Sequence, residues 1–217
     1  MQKLPKKRTG LTGRYLYAII AGSEQQAFGD LGLNGGQVYT IPDNGLAAVV
    51  SDVPQQKIRP ERRHFAAHQG VLRKVMEDCD LLPMRFGVIS GGPKAVRGLL
   101  TRNREAIVNQ LKRVAGKVEM GLRVSWDVPN IFEYMITVHP ELMEARDRLL
   151  NSQRGVTQEE KIQVGLLFED LLNSDRERHT KRVERALKPA CSEIKRNTCR
   201  EEREVMNLAC LVGRSAL

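Results

Sequence analysis

No stretch of the sequence approaches the roughly 18 uninterrupted apolar residues that a membrane-spanning helix needs. Aromatic residues are scarce, 5% with a single Trp, which argues against a protein built on rows of stacking rings. The four cysteines, Cys79, Cys191, Cys199 and Cys210, form no Cys-x-x-Cys pair, so neither a zinc knuckle nor a dithiol motif is present. They read as reduced structural thiols. Cys79 ends a helical pattern and Cys210 sits in an apolar run, as small core residues do. Neither Gly-x-Ser-x-Gly nor a phosphate loop ending in Gly-Lys-Ser/Thr occurs, and there are no internal repeats. A signal peptide would need an apolar region of about 7–15 residues behind the N-terminal charges. The apolar segment from Tyr15 to Ala21 is short and runs into a Gly-rich stretch, so it reads as a strand. These absences place the chain in the cytoplasm.

What is present is an ordinary globular balance: 217 residues, 41% hydrophobic and 28% charged. A chain of this length buries about 70% of its unfolded surface and needs no disulfide or metal to hold a core. One large domain or two small ones fit. The net charge of +9 is uneven. Residues 1–115 hold 18 basic and 9 acidic residues, while residues 116–217 hold 17 of each. Lys3, Lys6, Lys7, Arg8 and Arg14 crowd the first 14 positions without an acid among them. Residues 1–13 therefore read as a flexible basic tail that attracts any anionic surface through salt-screened forces.

Strands are expected over Tyr15 to Ile20, Gln37 to Ile41 and Leu46 to Val53. Asn44-Gly45 accepts positive φ at little cost and should turn the last two into an antiparallel hairpin. The long connection from Gly22 to Gly36 is pinned by Phe28 and Leu31. Pro60 and Glu61 open a helix with Phe65, His68, Leu72, Val75, Met76 and Cys79 along one face. Leu81 to Gly87 reads as a short strand, with Leu82, Met84 and Phe86 on one side and Arg85 on the other. One helix is expected from about Lys94 to Ala115. Gly116 is the candidate boundary, giving domains at 14–115 and 116–217. A half-buried strand follows from Val118 to Trp126. Asp127 is placed to cap a short helix over Ile131 to Met135, which could also be strand. Pro140 to Leu150 is helical, and Thr157 with Glu160 forms a capping box for a helix with a wide apolar face. Residues 175–188 carry the mixed charge of a solvated helix face. Further strands are expected around 193–199 and from Val205 to Val212.

Candidate chemistry is thin. His64 and His68 stand one helical turn apart, a spacing that can hold zinc, but Phe65 occupies the place of the metalloprotease Glu and no third ligand is evident. His68 lies on the apolar stripe, as a hydrogen-bonded core histidine does. Gly29, Gly32, Gly35 and Gly36 lead into a strand, whereas a phosphate loop leads into a helix N-terminus. Arg59, Arg62, Arg63, Arg73, Lys74 and Arg85 could form a basic face, but without a base-stacking motif beside it. Asp52 follows a strand without a catalytic partner. No catalytic, cofactor-binding or metal-binding residue is assigned.

Several runs together resemble the GvpL/GvpF family of gas vesicle proteins. They are Tyr15-Leu16-Tyr17, the segment Gly45 to Val53, Arg59-Pro60 with Ala67-His68, and Leu82-Pro83-Met84-Arg85-Phe86-Gly87. The second half adds Glu119 to Val124 with Trp126, then Glu160 to Gly165 with Phe168-Glu169, and Val205 to Val212. The matches run in order over about residues 14–213.

The resemblance implies a non-enzymatic assembly or structural accessory protein, cytoplasmic and gas vesicle associated. It would bind the hydrophobic shell protein GvpA, and other gas vesicle accessory proteins, limiting GvpA aggregation and supporting vesicle nucleation. It implies no cofactor and no membrane. The implied fold is α+β, two small α+β domains, the second ferredoxin-like. Leu82, Pro83, Met84, Arg85, Phe86, Gly87 and His68 would be family signature residues with a structural role; the partner-binding residues are not indicated. Family members continue past the last strand with a helix and a strand, so the second domain is expected to be incomplete at its C-terminus. It should then expose an apolar face near Leu208, Cys210 and Val212. The alternative from another class is a basic nucleic-acid-associated protein using the tail and the helix over residues 59–74.

Overall fold

The computed structural model describes residues 12–152 and 155–216. The chain divides into two compact units, Met1–Gly116 and Lys117–Leu217. The basic tail lies outside the described residues up to position 11.

In the first unit, β1 (Thr12–Ala21) is buried along nearly its whole length. It pairs antiparallel with β4 (Leu46–Pro54) on one side. On the other it pairs with the short β5 (Leu81–Pro83) and β6 (Ile89–Ser90). β3 (Val38–Asp43) and β2 (Ala27–Gly29) extend the sheet beyond β4. The β3–β4 hairpin turns at Asn44 and Gly45, both at positive φ, as the Asn-Gly pair predicts. Phe28 and Leu31 do pack onto the core.

Helices cover both faces. α1 (Arg62–Asp78) places Val71, Leu72 and Val75 against Tyr15, Tyr17, Ile20 and Val49. α2 (Pro93–Arg102) and α3 (Arg104–Val114) place Val96, Leu100, Ile107 and Leu111 against Leu16, Ile19 and Val50. The register of β1 against β4 slips by one residue between Leu16 and Ala18. Such a bulge reverses the inside–outside alternation, and so Tyr15 and Tyr17 share the α1 face with Ala18 and Ile20.

Two expectations change here. The helix predicted over 94–115 is two helices, broken at Asn103, whose φ of −108° and ψ of 13° are non-helical. The strand predicted over 81–87 ends at Pro83. Leu82 and Met84 share the α2–α3 core, but Phe86 lies in the α1 core with Leu81. The cause is the turn at Phe86 and Gly87, where Gly87 takes φ of +90°, a conformation that side chains rarely adopt.

The second unit holds a three-stranded sheet, β7 (Lys117–Ser125), β8 (Cys191–Asn197) and β9 (Glu204–Gly213), in the order β7-β9-β8. β9 runs antiparallel to both neighbours, so β7 and β8 are parallel with a strand between them, a split β–α–β arrangement. The connection is helical: α4 (Ile131–Val138), α5 (Pro140–Leu150) and α6 (Gln158–Leu187). The capping box of Thr157 and Glu160 opens α6 as expected. The cap of α4 is Asn130, not Asp127; its side chain accepts from Phe132 and Glu133 N–H. Only Asn130 stands at the residue preceding the first helical one, where a side chain reaches those donors.

Residues 175–188 are helical to Leu187 and carry exposed charges, as expected of a solvated helix face. They continue α6, and Thr180, Val183 and Leu187 turn inward, the last two packing on the sheet. That contact also overturns the exposed apolar face expected near Leu208, Cys210 and Val212. Leu208 and Cys210 are buried and Val212 half-buried, because the C-terminal half of α6 lies over them.

Candidate functional site

The 82–87 run and His68 meet around two tyrosines. The Met84 N–H donates to the Tyr17 carbonyl at 2.8 Å, and the Gly87 N–H donates to the Tyr15 hydroxyl at 3.1 Å. That hydroxyl lies 2.9 Å from His68 Nδ1. His68 also bonds the Met84 backbone. A carbonyl only accepts, so the remaining ring nitrogen, Nε2, carries the proton and Nδ1 accepts from Tyr15. Burial holds the His68 imidazole below its ordinary pKa and pushes the Tyr15 phenol up to about 12. Both groups are therefore neutral near pH 7. Phe65 and Phe86 stack outside this pair with centroids 4.1 Å apart. Of the run, Pro83, Arg85 and Gly87 are exposed. The arrangement is a closed chain of donors and acceptors that fastens one turn to β1 and α1.

The remaining sequence candidates are structural or scattered. His64 does not face a metal cluster; its Nδ1 lies 2.8 Å from the Arg59 carbonyl. No group of three His, Cys, Asp or Glu suited to a metal ion occurs among the described residues. The glycines of the 22–36 connection are explained at Gly32, where a Cβ would meet the Gly36 carbonyl at 2.6 Å and the Tyr17 hydroxyl at 2.8 Å. Asp52 accepts from the Tyr39 hydroxyl at 2.6 Å and faces Arg14 at 3.2 Å. Among the basic candidates, Arg63 is paired with Glu61 and Lys74 with Glu77, which makes the α1 surface mixed in sign.

A different feature stands out in the second unit. Among the described residues nine large apolar side chains are strongly exposed, and seven of them fall between Phe132 and Leu166. Those on α5 and α6 include Met143, Leu150, Ile162 and Leu166; Leu150 is 76% exposed. A groove of about 430 Å³ runs between α5 and the start of α6, lined by Ala145, Leu149, Val164 and Leu167 with Arg148, Glu159, Glu160 and Gln163. The geometry of α6 explains the exposure. Val164, Leu167, Phe168 and Leu171 pack toward α4 and α5. Ile162 lies about five turns before Thr180 on the same angular position. Thr180 is buried and Ile162 is 50% exposed, so α6 overshoots what covers its second half. Ile162 and Leu166 stand with Val164, Leu167, Phe168, Leu171 and Leu172 on the wide apolar face expected of this helix. The signal was the width itself: these positions span too much of the helix for one buried stripe.

Taken together, the described residues define a protein of two α+β units. Its sequence matches the model of the gas vesicle synthesis protein GvpL/GvpF over residues 13–217, and the chain belongs to that family. It is 28% identical over 204 residues to gas vesicle protein F of Nostoc sp., covering 93% of this chain and 83% of that protein. It is 29% identical over 168 residues to gas vesicle protein L of Haloferax mediterranei, covering 61% of this chain and 52% of that protein. The crystal structure of gas vesicle protein GvpF from Anabaena sp. superposes with a TM-score of 0.78 at 26% identity, covering 93% of this chain and 83% of that one. These are gas vesicle proteins by name, and none is named as an enzyme. No helix among the described residues is long and apolar enough to cross a membrane.

Proposed function

We propose that this chain is a gas vesicle assembly factor that shields shell subunits through the apolar surface of α5 and α6. Family membership supports the gas vesicle role. The observation that carries the mechanism is the concentration of exposed apolar side chains between Phe132 and Leu166. Exposed apolar patches on a soluble protein mark contact surfaces. A shell protein as hydrophobic as GvpA must bury large areas against its own copies, and free subunits precipitate unless covered. A surface that carries Leu150, Ile162 and Leu166 between charged neighbours can cover such an area and release it to the growing wall. The protein acts in the cytoplasm at the nascent vesicle and performs no covalent chemistry. His68 and the 82–87 run serve the fold of the first unit.

The test is light scattering of dilute GvpA with and without this protein, at low and high salt. Suppressed aggregation at both salts is expected. A Leu150→Lys, Ile162→Lys, Leu166→Lys triple variant should lose the suppression while keeping its circular dichroism, since all three positions are exposed. Full suppression by that variant defeats the assignment of the surface. Suppression that vanishes at high salt moves the contact to the basic first half.

A further inference from the structure

The solvent side of α1 divides in two. Arg63 pairs with Glu61 and Lys74 with Glu77, so one side neutralises itself. Arg62 and Arg73 lie about 100° round the helix from Arg63 and Lys74. Both are exposed, and neither has an acidic partner among the described residues. Phe65 and Gln69 stand between them on the same strip. Phe65 is 43% exposed although its ring stacks on Phe86. The first turn of α1 carries no acid, so a carboxylate brought to Arg62 also meets the positive end of the helix.

α6 carries the opposite charges at the same spacing. Glu159, Ile162, Leu166 and Asp170 follow one another at intervals of 3, 4 and 4 residues, as Arg62, Phe65, Gln69 and Arg73 do. Such positions lie within about 80° of one another, and the charges at the two ends are about 16.5 Å apart along the axis. Glu159 and Asp170 are exposed and have no basic partner among the described residues. Ile162 and Leu166 are each 50% exposed. The strip is turned away from Val164, Leu167, Phe168 and Leu171, which pack toward α4 and α5. It also precedes Val183 and Leu187, the part of α6 that lies over the sheet.

We propose that two copies of this chain dock through these strips, α1 of one against α6 of the other. Run antiparallel, the helices set Arg62 against Asp170 of the second copy and Arg73 against its Glu159. Phe65 then enters beside Leu166, and Gln69 lies beside Ile162. The antiparallel direction also opposes the two helix dipoles favourably. The strips differ, so each copy offers one of each kind and the contact is heterologous. It closes where the second pair of strips also meets, and otherwise runs on to further copies. Docking covers Ile162 and Leu166, which the function proposed above gives to the client, so self-association and client binding compete. Only that competition rests on the proposed function; the docking rests on the two strips.

The experiment is sedimentation equilibrium of the full 217-residue chain over a wide concentration range, at low and high salt. Association that grows with concentration and weakens with salt is expected. Arg62→Glu with Arg73→Glu sets like charges opposite each other and should weaken it about tenfold or more. Glu159→Lys with Asp170→Lys should do the same. In an equimolar mixture of the two variants, each strip finds its opposite charge on the other variant, and association should return. Misfolding of either variant cannot produce that rescue. A chain that stays monomeric throughout overturns the proposal. So does association that both variants leave unchanged, or a mixture that associates no better than its components. The Arg62→Glu, Arg73→Glu variant keeps α6 intact, so it should still suppress GvpA aggregation, at least as well as the unsubstituted chain. Suppression lost together with self-association would move the client contact to α1 and leave the docking in place.

Discussion

Tyr15 and Tyr17 sit two residues apart on β1, and each closes a different buried circuit. The Tyr17 hydroxyl accepts the Leu33 N–H at 2.9 Å and shares a hydrogen bond with Ser51 Oγ at 2.8 Å, tying the 22–36 connection to β4. Tyr17→Phe strands both partners. A buried polar group left without a partner costs about 1–3 kcal/mol, so a loss in that range is expected in urea unfolding, and an unchanged midpoint would show that water replaces the hydroxyl. His68 closes the other circuit and adds a pH dependence. Its pKa is lowered in the folded state, first by burial. The unfolded chain therefore binds a proton that the folded chain refuses. The stabilisation is complete above the unfolded value of about 6.5 and is lost as pH falls below it, levelling off once folded His68 protonates. His68→Leu should cost about 2–4 kcal/mol at neutral pH by orphaning the Tyr15 hydroxyl and the Met84 carbonyl. It should also flatten the decline of stability below pH 6.5 relative to the unsubstituted chain. Equal slopes in the two proteins would assign that decline to other histidines.

At the scale of elements, α6 is held to the sheet by one side chain as well as by its apolar stripe. Arg176 Nε donates to the Glu204 carbonyl at 2.9 Å, and Nη2 donates to the carbonyls of Glu201 at 3.2 Å and Glu202 at 2.9 Å. The guanidinium thereby satisfies the turn between β8 and β9. Lysine has a single ammonium and cannot match that fork. Arg176→Lys should lower stability by about 1.5–3 kcal/mol, read most directly from the fluorescence of Trp126, the single Trp, which packs between the α4–α6 core and the sheet core. Wild-type stability in the lysine variant would reduce Arg176 to a surface decoration. Arg176 was lost in the sequence among the mixed charges of residues 175–188, because its partners are carbonyls more than twenty residues away. Local signals fared better. The Asn-Gly turn, the capping box and the hydrophobic strands were legible because each is specified within a few neighbouring residues. The Tyr17 bulge, the break at Asn103 and the exit of Phe86 from its expected face were not, since each is decided by what packs against the segment. The same reason hid the candidate surface. Apolar residues at helical spacing are visible in a sequence, but which of them a neighbouring element leaves uncovered is not.

The whole molecule separates charge from apolar exposure. All of the +9 net charge belongs to residues 1–115, while residues 116–217 sum to zero. The exposed apolar side chains are distributed the other way, with Phe65 the single strongly exposed large apolar residue among those described in the first unit. Attraction between fixed charges is screened within about 8–10 Å at physiological salt, whereas burial of apolar area is not weakened by that screening. The two halves should thus respond differently to salt. Deleting residues 1–13 removes five basic residues less Arg14, four in all, and halves no apolar surface. If the second unit carries the client contact, that deletion leaves suppression of GvpA aggregation unchanged at every salt concentration, and only the α5–α6 substitutions abolish it. A nucleic-acid partner gives the opposite pattern. Its affinity falls steeply with salt in proportion to the phosphates neutralised, so the deletion would weaken it most at low salt and the Ile162 and Leu166 substitutions would leave it intact. Measuring both ligands against both variants decides between an apolar client and an anionic one, because no single surface on this chain can satisfy both patterns.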